Sequence, residues 1–379
     1  MATNSRILDI RGRGLKLETA EHVAPLLEGY NPQAIEEIHL GGNTIGVDAS
    51  IAFASFLKKT TVLKVADFAD IFTGRLITEI PQALTALCDA LKDKSTLIEI
   101  NLSDNAYGER SVKPMIPLLT HNRFEILRLN NNGLGPAGGT EIANALAESA
   151  RLSTAEGKKS NLKTVICGRN RLENGSASAW AEAFAAHGTL VEVRLPQNGI
   201  RMHGIRELAE GLSKCPDLQY LDLQDNTFTE DGSKLGVESW ANVLPHWPAL
   251  ETLNLSDCVL SNEGEVPLLL RKLAEGSNRK ITTLQLQNNN LEAKTFELLA
   301  NSISTHLSGL KFLELQWNDV EEDDENLDTI RAVLRERKGR ILVTDEDEEE
   351  EEETEGEPSE DTKAAVNALA DMIDKVNIQ

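Results

Sequence analysis

A chain of 379 residues with 40% hydrophobic content is long enough to bury a large core without help from disulfides or metals. Its formal net charge of −23 argues against nucleic acid and anionic membrane as partners, because both favour a basic surface. The four cysteines, Cys88, Cys167, Cys215 and Cys258, stand far apart with no C-x-x-C pair, which excludes a zinc or disulfide framework and fits a reducing, intracellular compartment. No apolar run near the start is long enough for a secretory signal, and nowhere do eighteen apolar residues follow one another, so a soluble, unexported chain is expected.

Residues 1–30 read as a cap, with "ILDIRGRGLKL" a degenerate copy of a pattern that recurs along the chain. In its full form, the spacing L-x-x-L-x-L-x-x-N-x-L starts at Ile35, Leu97, Phe124, Leu162, Leu190, Leu218, Leu250, Ile281 and Leu310, with an imperfect copy, "LKVADFADIFT", from Leu63. The ten starts lie 27 to 38 residues apart, the signature of a leucine-rich repeat. Each copy opens with a short strand whose alternate residues point inward. Between copies, stretches such as "AGGTEIANALAESA" and "HGIRELAEGLSKC" carry apolar residues three and four apart, as helices do. One strand-helix unit cannot close a core alone. The fold class is therefore α/β, a ribonuclease-inhibitor-like horseshoe with a parallel sheet inside and helices outside.

The recurring asparagine (Asn43, Asn105, Asn132, Asn170, Asn198, Asn226, Asn289, Asn318) is expected to bond backbone groups that lose ladder partners where the chain leaves the strand. Cys258 takes this place once, tolerably for a weak donor. In "DFADIFTGR" the place falls to Ile71, which has no polar side-chain atom, so the turn over 69–75 is expected to leave the common geometry in a longer excursion.

At the far end, "NLDTIRAVLRERKGRILV" reads as a closing helix and strand. The solenoid with its caps is assigned to 1–343 and a disordered acidic segment to 344–361; residues 345–361 alone hold thirteen acidic residues, so the rest of the chain carries −10 of the −23. Residues 362–379 place Val366, Leu369, Ile373 and Val376 on one face of a short amphipathic helix.

No phosphate-loop spacing occurs, and the seven histidines share no metal-ligand or catalytic spacing, so neither cofactor nor metal is expected. Cys167 falls in an inward apolar slot and reads as core. What remains is the set of residues leading from strand to helix: Gly41 and Thr44; Asp70 and Arg75; Asp104; Asn131; Arg169 and Arg171; Gln197; Asp225; Asp257; Asn288; and Trp317. Arginines in the first half and recurring carboxylates suit a charged protein partner better than a small molecule.

The stretches "GGNTIG", "DFADIFTGRLITEIPQAL", "LSDNAYG", "LNNNGLGPAGG", "ICGRNRLENGS", "QNGIR" and "LDLQDNTFT" resemble the fungal GTPase-activating proteins of the small GTPase Ran, over about residues 1–343 and in order. The resemblance implies binding of Ran-GTP at the strand-to-helix edge, with or without a Ran-binding protein, and acceleration of hydrolysis in the cytosol or near the nucleus, which sustains the gradient for nucleocytoplasmic transport. It implies an activator rather than an enzyme, with nucleotide and catalytic machinery on the GTPase, and no arginine finger. Asn131 matches the asparagine that lies near the partner's catalytic region in that family; Arg75, matched within "DIFTGR", is expected to serve docking or loop geometry. Arg171, Asp225 and Asp104 are expected as further partner contacts. A monomer is expected. The large pore-attachment domain of animal members has no counterpart in these 379 residues, so stable anchoring is not expected. The alternatives from other classes are an acidic leucine-rich-repeat histone chaperone and an inhibitory scaffold like the ribonuclease inhibitor; "DIFTGR" argues against the former and the low cysteine count against the latter.

Overall fold

The computed structural model describes residues 5–321 and 324–344. The acidic run and the terminal segment 362–379, for which disorder and a helix are expected, lie outside the described residues.

Twelve parallel strands of three residues each form one sheet whose spatial order is the chain order, from Ile7–Asp9 to Arg340–Leu342. Ten belong to the repeats, and the outer two come from the residues read as cap and closing unit. Their register is strict: Leu8, Ile38, Ala66, Ile100, Leu127, Val165, Val193, Leu221, Leu253, Leu284, Leu313 and Ile341 lie side by side, so the middle residues stack into one inward column. All but Ile341 are fully buried. Period two leaves the flanking residues of each strand on the concave face.

The helices return on the outside and bury the stripe that their spacing marks. In Met202–Leu212 these are Ile205, Leu208, Ala209 and Leu212. The helix sits so close to its neighbour Glu173–His187 that a Cβ at Gly211 would collide with the Ala181 backbone, which only glycine allows. Tryptophans fill the wider gaps: Trp240 stacks at 5.5 Å on Phe228 and 5.3 Å on Trp247, and both indole N–H groups donate at 2.9 Å to helix carbonyls, of Ile205 and Leu212.

The asparagines form a ladder through the buried turns. Asn105 donates to the carbonyls of Phe68, Leu102 and Ser103, and accepts the Ile71 N–H at 2.9 Å. Asn132 donates to Leu102 and Leu129 and accepts the Asn105 N–H. Asn170 and Asn198 continue the chain, each accepting the N–H of the asparagine one repeat earlier. Cys258 substitutes through its thiol, which donates to the Leu223 and Ser256 carbonyls.

The expectation for Ile71 needs correcting. The turn does not leave the common geometry at 69: Asp70 has the left-handed φ of its counterparts, its N–H donates to Ser103, and the Ile71 carbonyl accepts the Ile45 N–H at 2.8 Å. These backbone bonds, with the Asn105 amide of the next repeat, keep the turn through residue 71, and the Ile71 side chain goes wholly into the core. The excursion begins at Phe72, which is buried with its ring edge-on to Tyr107 at 6.2 Å. It then runs to the helix Ile80–Leu91, so residues 68–79 separate strand and helix here, against 129–134 two repeats later.

Candidate functional site

Where each repeat turns from strand to helix, the residue before the ladder position is held at positive φ. Asp70, Asp104, Asn131, Arg169, Gln197, Asp225, Asp257, Asn288 and Trp317 all lie between +48° and +61°. The ladder residue next to each is buried, except Asn318, which is half-buried, so these side chains are turned the other way, and they form a ridge along the rim of the horseshoe. Asn and Asp tolerate this conformation; for Arg169, Gln197 and Trp317 it costs about 1 to 2 kcal/mol apiece.

Two residues beyond the ridge a second left-handed position recurs, filled by Gly133 and Gly199 in the repeats on either side and by Arg171 between them, at +55°. Glycine would adopt it freely. Ala106, Val259 and Asn290 take the same position in other repeats, so the strain at Arg171 is shared along the rim and what sets this place apart is its exposed charge. Arg169 and Arg171 are exposed, and no ion pair engages either among the described residues.

Asp104, Asn131 and Arg171 fall in three consecutive repeats. The Asn131 amide donates to the Asp104 carboxylate at 3.0 Å, which fixes the amide's orientation on an exposed surface. Asp225 is exposed on the same ridge, three repeats beyond Asn131. Further along, Asp257 accepts from Asn288 at 2.8 Å and from Gln224 at 3.3 Å. Trp317 ends the row with 60% of its surface exposed.

Arg75 follows another course. Its side chain is only 6% exposed and points back to the N-terminal cap. It donates to Glu18 Oε2 at 2.6 Å, to the Thr44 hydroxyl at 3.0 Å, and to the carbonyls of Thr44 and Leu17 at 3.1 and 3.4 Å. The guanidinium holds the Glu18 carboxyl below its usual range. Thr44, read from sequence as a rim residue, is the middle of this strut: its hydroxyl also donates to the Thr73 carbonyl, and Thr73 donates to Asp70 at 2.6 Å. The strut ties two repeats and the N-terminal cap together through one buried arginine side chain.

The concave face is built differently. Arg128 pairs with Glu99 at 2.6 Å, and Arg194 pairs with Glu192 at 2.5 Å while lying 3.9 Å from the centre of the Tyr220 ring. His39 sits between Glu37 and Asp67 at 2.9 and 3.2 Å. These groups satisfy one another. Cys167, in its inward slot, is fully buried; burial pushes its thiol up to about 12, and its sulfur accepts from Asn170, so it is no nucleophile. Among the described residues no group of His, Cys, Asp and Glu is arranged to hold a metal ion.

The sequence reading missed three things: the inward course of Arg75, the pairing of Asp104 with Asn131, and two exposed aliphatic residues, Leu76 and Ile77, that come directly after Arg75. The strain at Arg171 was visible in principle, because Gly133 and Gly199 occupy its place in adjacent repeats.

The family model described as "Leucine Rich repeat" matches residues 214–234 and 248–268. Ran GTPase-activating protein 1 of Saccharomyces cerevisiae is 36% identical over 338 residues, covering 86% of this chain and 82% of the yeast protein. Ran GTPase-activating protein 1 of Xenopus laevis is 46% identical over 200 residues, 51% of this chain and 34% of that protein. Ran GTPase-activating protein 2 of Caenorhabditis elegans is 41% identical over 202 residues, 52% of this chain and 21% of that protein. The chain thus spans most of the yeast relative and about a third or less of the two animal ones.

Proposed function

The chain belongs to the Ran GTPase-activating protein family, and from that membership we infer that it stimulates GTP hydrolysis on Ran, with the ridge as the surface that meets the GTPase. The GTPase supplies the phosphate loop, the magnesium ion and the residue that orients the attacking water. The activator adds surface, and its chemistry is that of positioning. In this reading the protein acts as a monomer on GTP-loaded Ran in the cytosol, with or without a Ran-binding protein beside it. The histone-chaperone alternative loses its ground to the family assignment.

The observation that carries the assignment of roles is the pairing of Asn131 with Asp104. An exposed amide already oriented by a neighbouring carboxylate pays little to order itself against the partner, where it holds the catalytic region in place. Arg171, exposed and without an ion pair among the described residues, and Asp225 further along the rim supply charged contacts on one side of it. Arg75 is not a finger. To reach a γ-phosphate it would have to leave Glu18, Thr44 and Leu17 together, and a finger is worth about 10³ to 10⁵ in rate, roughly 4 to 7 kcal/mol. Its part is to hold the loop that leads from Asp70 to the next helix.

Single-turnover hydrolysis of GTP on Ran with excess activator tests this. Wild type is expected to accelerate hydrolysis strongly and Asn131→Ala to lower the rate even at saturation. Absence of any acceleration by wild type would return the protein to the class of general repeat scaffolds.

A further inference from the structure

We propose that Leu76 and Ile77 form an apolar docking knob for the GTPase, presented by the loop that Arg75 braces; the proposal rests on the reading of the ridge as the Ran-binding surface. Single exposed aliphatic residues are ordinary on any protein. These two are adjacent, 66% and 55% exposed, and sit on an excursion fastened by hydrogen bonds on both sides of them.

The loop is fastened at every few residues. Ile71 and Phe72 anchor its start in the core, where the repeats around it place the polar ladder residue. Thr73 bonds Asp70 on one side and, through its carbonyl, Thr44 on the other. Gly74 takes a φ of +80°, which turns the chain so that the Arg75 N–H donates to the Phe72 carbonyl and the guanidinium reaches the strut described above. After the knob, the Glu79 carboxylate accepts the Leu76 N–H at 3.1 Å, and the N–H groups of Glu79 and Ile80 donate to the Leu76 carbonyl, so the helix starts at once.

A loop anchored this thoroughly had the means to fold two aliphatic side chains inward, beside Ile71 and Phe72, and it holds them out. Preorganised apolar side chains at the edge of a polar rim are what an interface uses as anchors, since their ordering cost has been met in advance. The occupant is set by continuity: the loop leaves the ridge at Asp70, itself a ridge residue bonded to Thr73, so a GTPase seated along Asp104, Asn131 and Arg171 extends onto the knob. An apolar patch on the GTPase is the matching chemistry. This also gives the strut its purpose, because the knob is placed only as accurately as Arg75 is held.

The test is the affinity of the full chain for Ran loaded with a non-hydrolysable GTP analogue, for wild type, the double variant Leu76→Ser/Ile77→Ser, and Ile51→Ser as control. Ile51 is 49% exposed on the outer helix Val47–Lys58, away from the ridge. The double variant is expected to bind roughly tenfold or more weakly with an unchanged melting temperature, and to reach the wild-type hydrolysis rate at saturation; the control is expected to bind as wild type does. Unchanged affinity in the double variant, or an equal loss in the control, would overturn the knob. Binding by wild type without acceleration of hydrolysis would sink the activator reading while leaving the affinity comparison to decide the knob; no binding by wild type would overturn both.

Discussion

The two rims of the horseshoe use polar side chains in opposite ways. On the helix-to-strand rim they turn inward and serve the fold. Asn122 donates to the carbonyls of Leu91, Lys92 and Lys94, Asn278 to those of Leu244 and Trp247, and Arg337 to those of Ile303, Leu307 and Leu310, so the last carbonyls of helices are capped by residues of the next repeat. His187 lies there too, 7% exposed, with Ser160 Oγ 2.5 Å from Nδ1. On the strand-to-helix rim the buried ladder takes over that work, and the next side chain along is released to solvent. A rim whose backbone is already satisfied can vary its side chains for a partner. Arg75 belongs by position to the second rim and by behaviour to the first.

The sharpest contrast is between adjacent residues. Asn132→Ala removes the acceptor of one buried N–H and the donor to two buried carbonyls, and is expected to cost roughly 3 kcal/mol or more in denaturant unfolding. Asn131→Ala, one residue away, is expected to cost no more than about 1 to 2 kcal/mol, the strain alanine meets at a φ of +53°, and to act chiefly on hydrolysis. Equal destabilisation by the two would erase the distinction between ladder and ridge.

His187 tests the inward rim. Burial lowers its imidazole to about 4 from the ordinary 6.5, outweighing its bond to the Leu146 backbone, while the nearby Arg123 lowers it further. The unfolded chain therefore binds a proton near pH 6.5 that the folded one refuses until about pH 4. Stability present above pH 6.5 is lost as pH falls through that window, by about 2 kcal/mol at pH 5. Urea unfolding at about pH 7 and about pH 5 should show this loss in wild type and a much smaller one in His187→Gln. A wild type equally stable at both would mean the ring is not held neutral.

Arg171→Gly sharpens the outward rim, with a smaller effect of opposite sign on stability. Relief of the left-handed strain is expected to offset the added flexibility of glycine and raise stability by up to about 1 kcal/mol. Affinity for Ran-GTP is expected to fall. A variant that loses stability, or binds Ran as tightly as wild type, would leave the arginine's strain without a function.

Legibility in the sequence came from repetition. The strand, core and ladder positions keep a fixed spacing within each copy, so each copy supports the reading of the others, and even the thiol of Cys258 was placeable. The ridge positions were legible as positions, since they adjoin the ladder. What each side chain does there was not, because direction depends on the neighbours the fold brings up: Glu18 and Thr44 for Arg75, and Asp104 for Asn131. Connections of similar or greater length recur at 102–115, 223–234 and 255–267, but their sequences differ, so nothing in the period could mark where this one starts or that Leu76 and Ile77 face out. Its backbone holds the common turn through Ile71 because main-chain bonds and the asparagine of the next repeat suffice, without an asparagine at 71 itself.

The most direct test of the account is a titration of Arg75→Ala in single-turnover GTP hydrolysis on Ran. If Arg75 is a strut, the variant needs more activator for half-maximal acceleration, yet its rate at saturation stays within about an order of magnitude of wild type. A deficit of about 10³ or more that persists at saturation is what the loss of an arginine finger produces, and would contradict the placement of this residue in the scaffold.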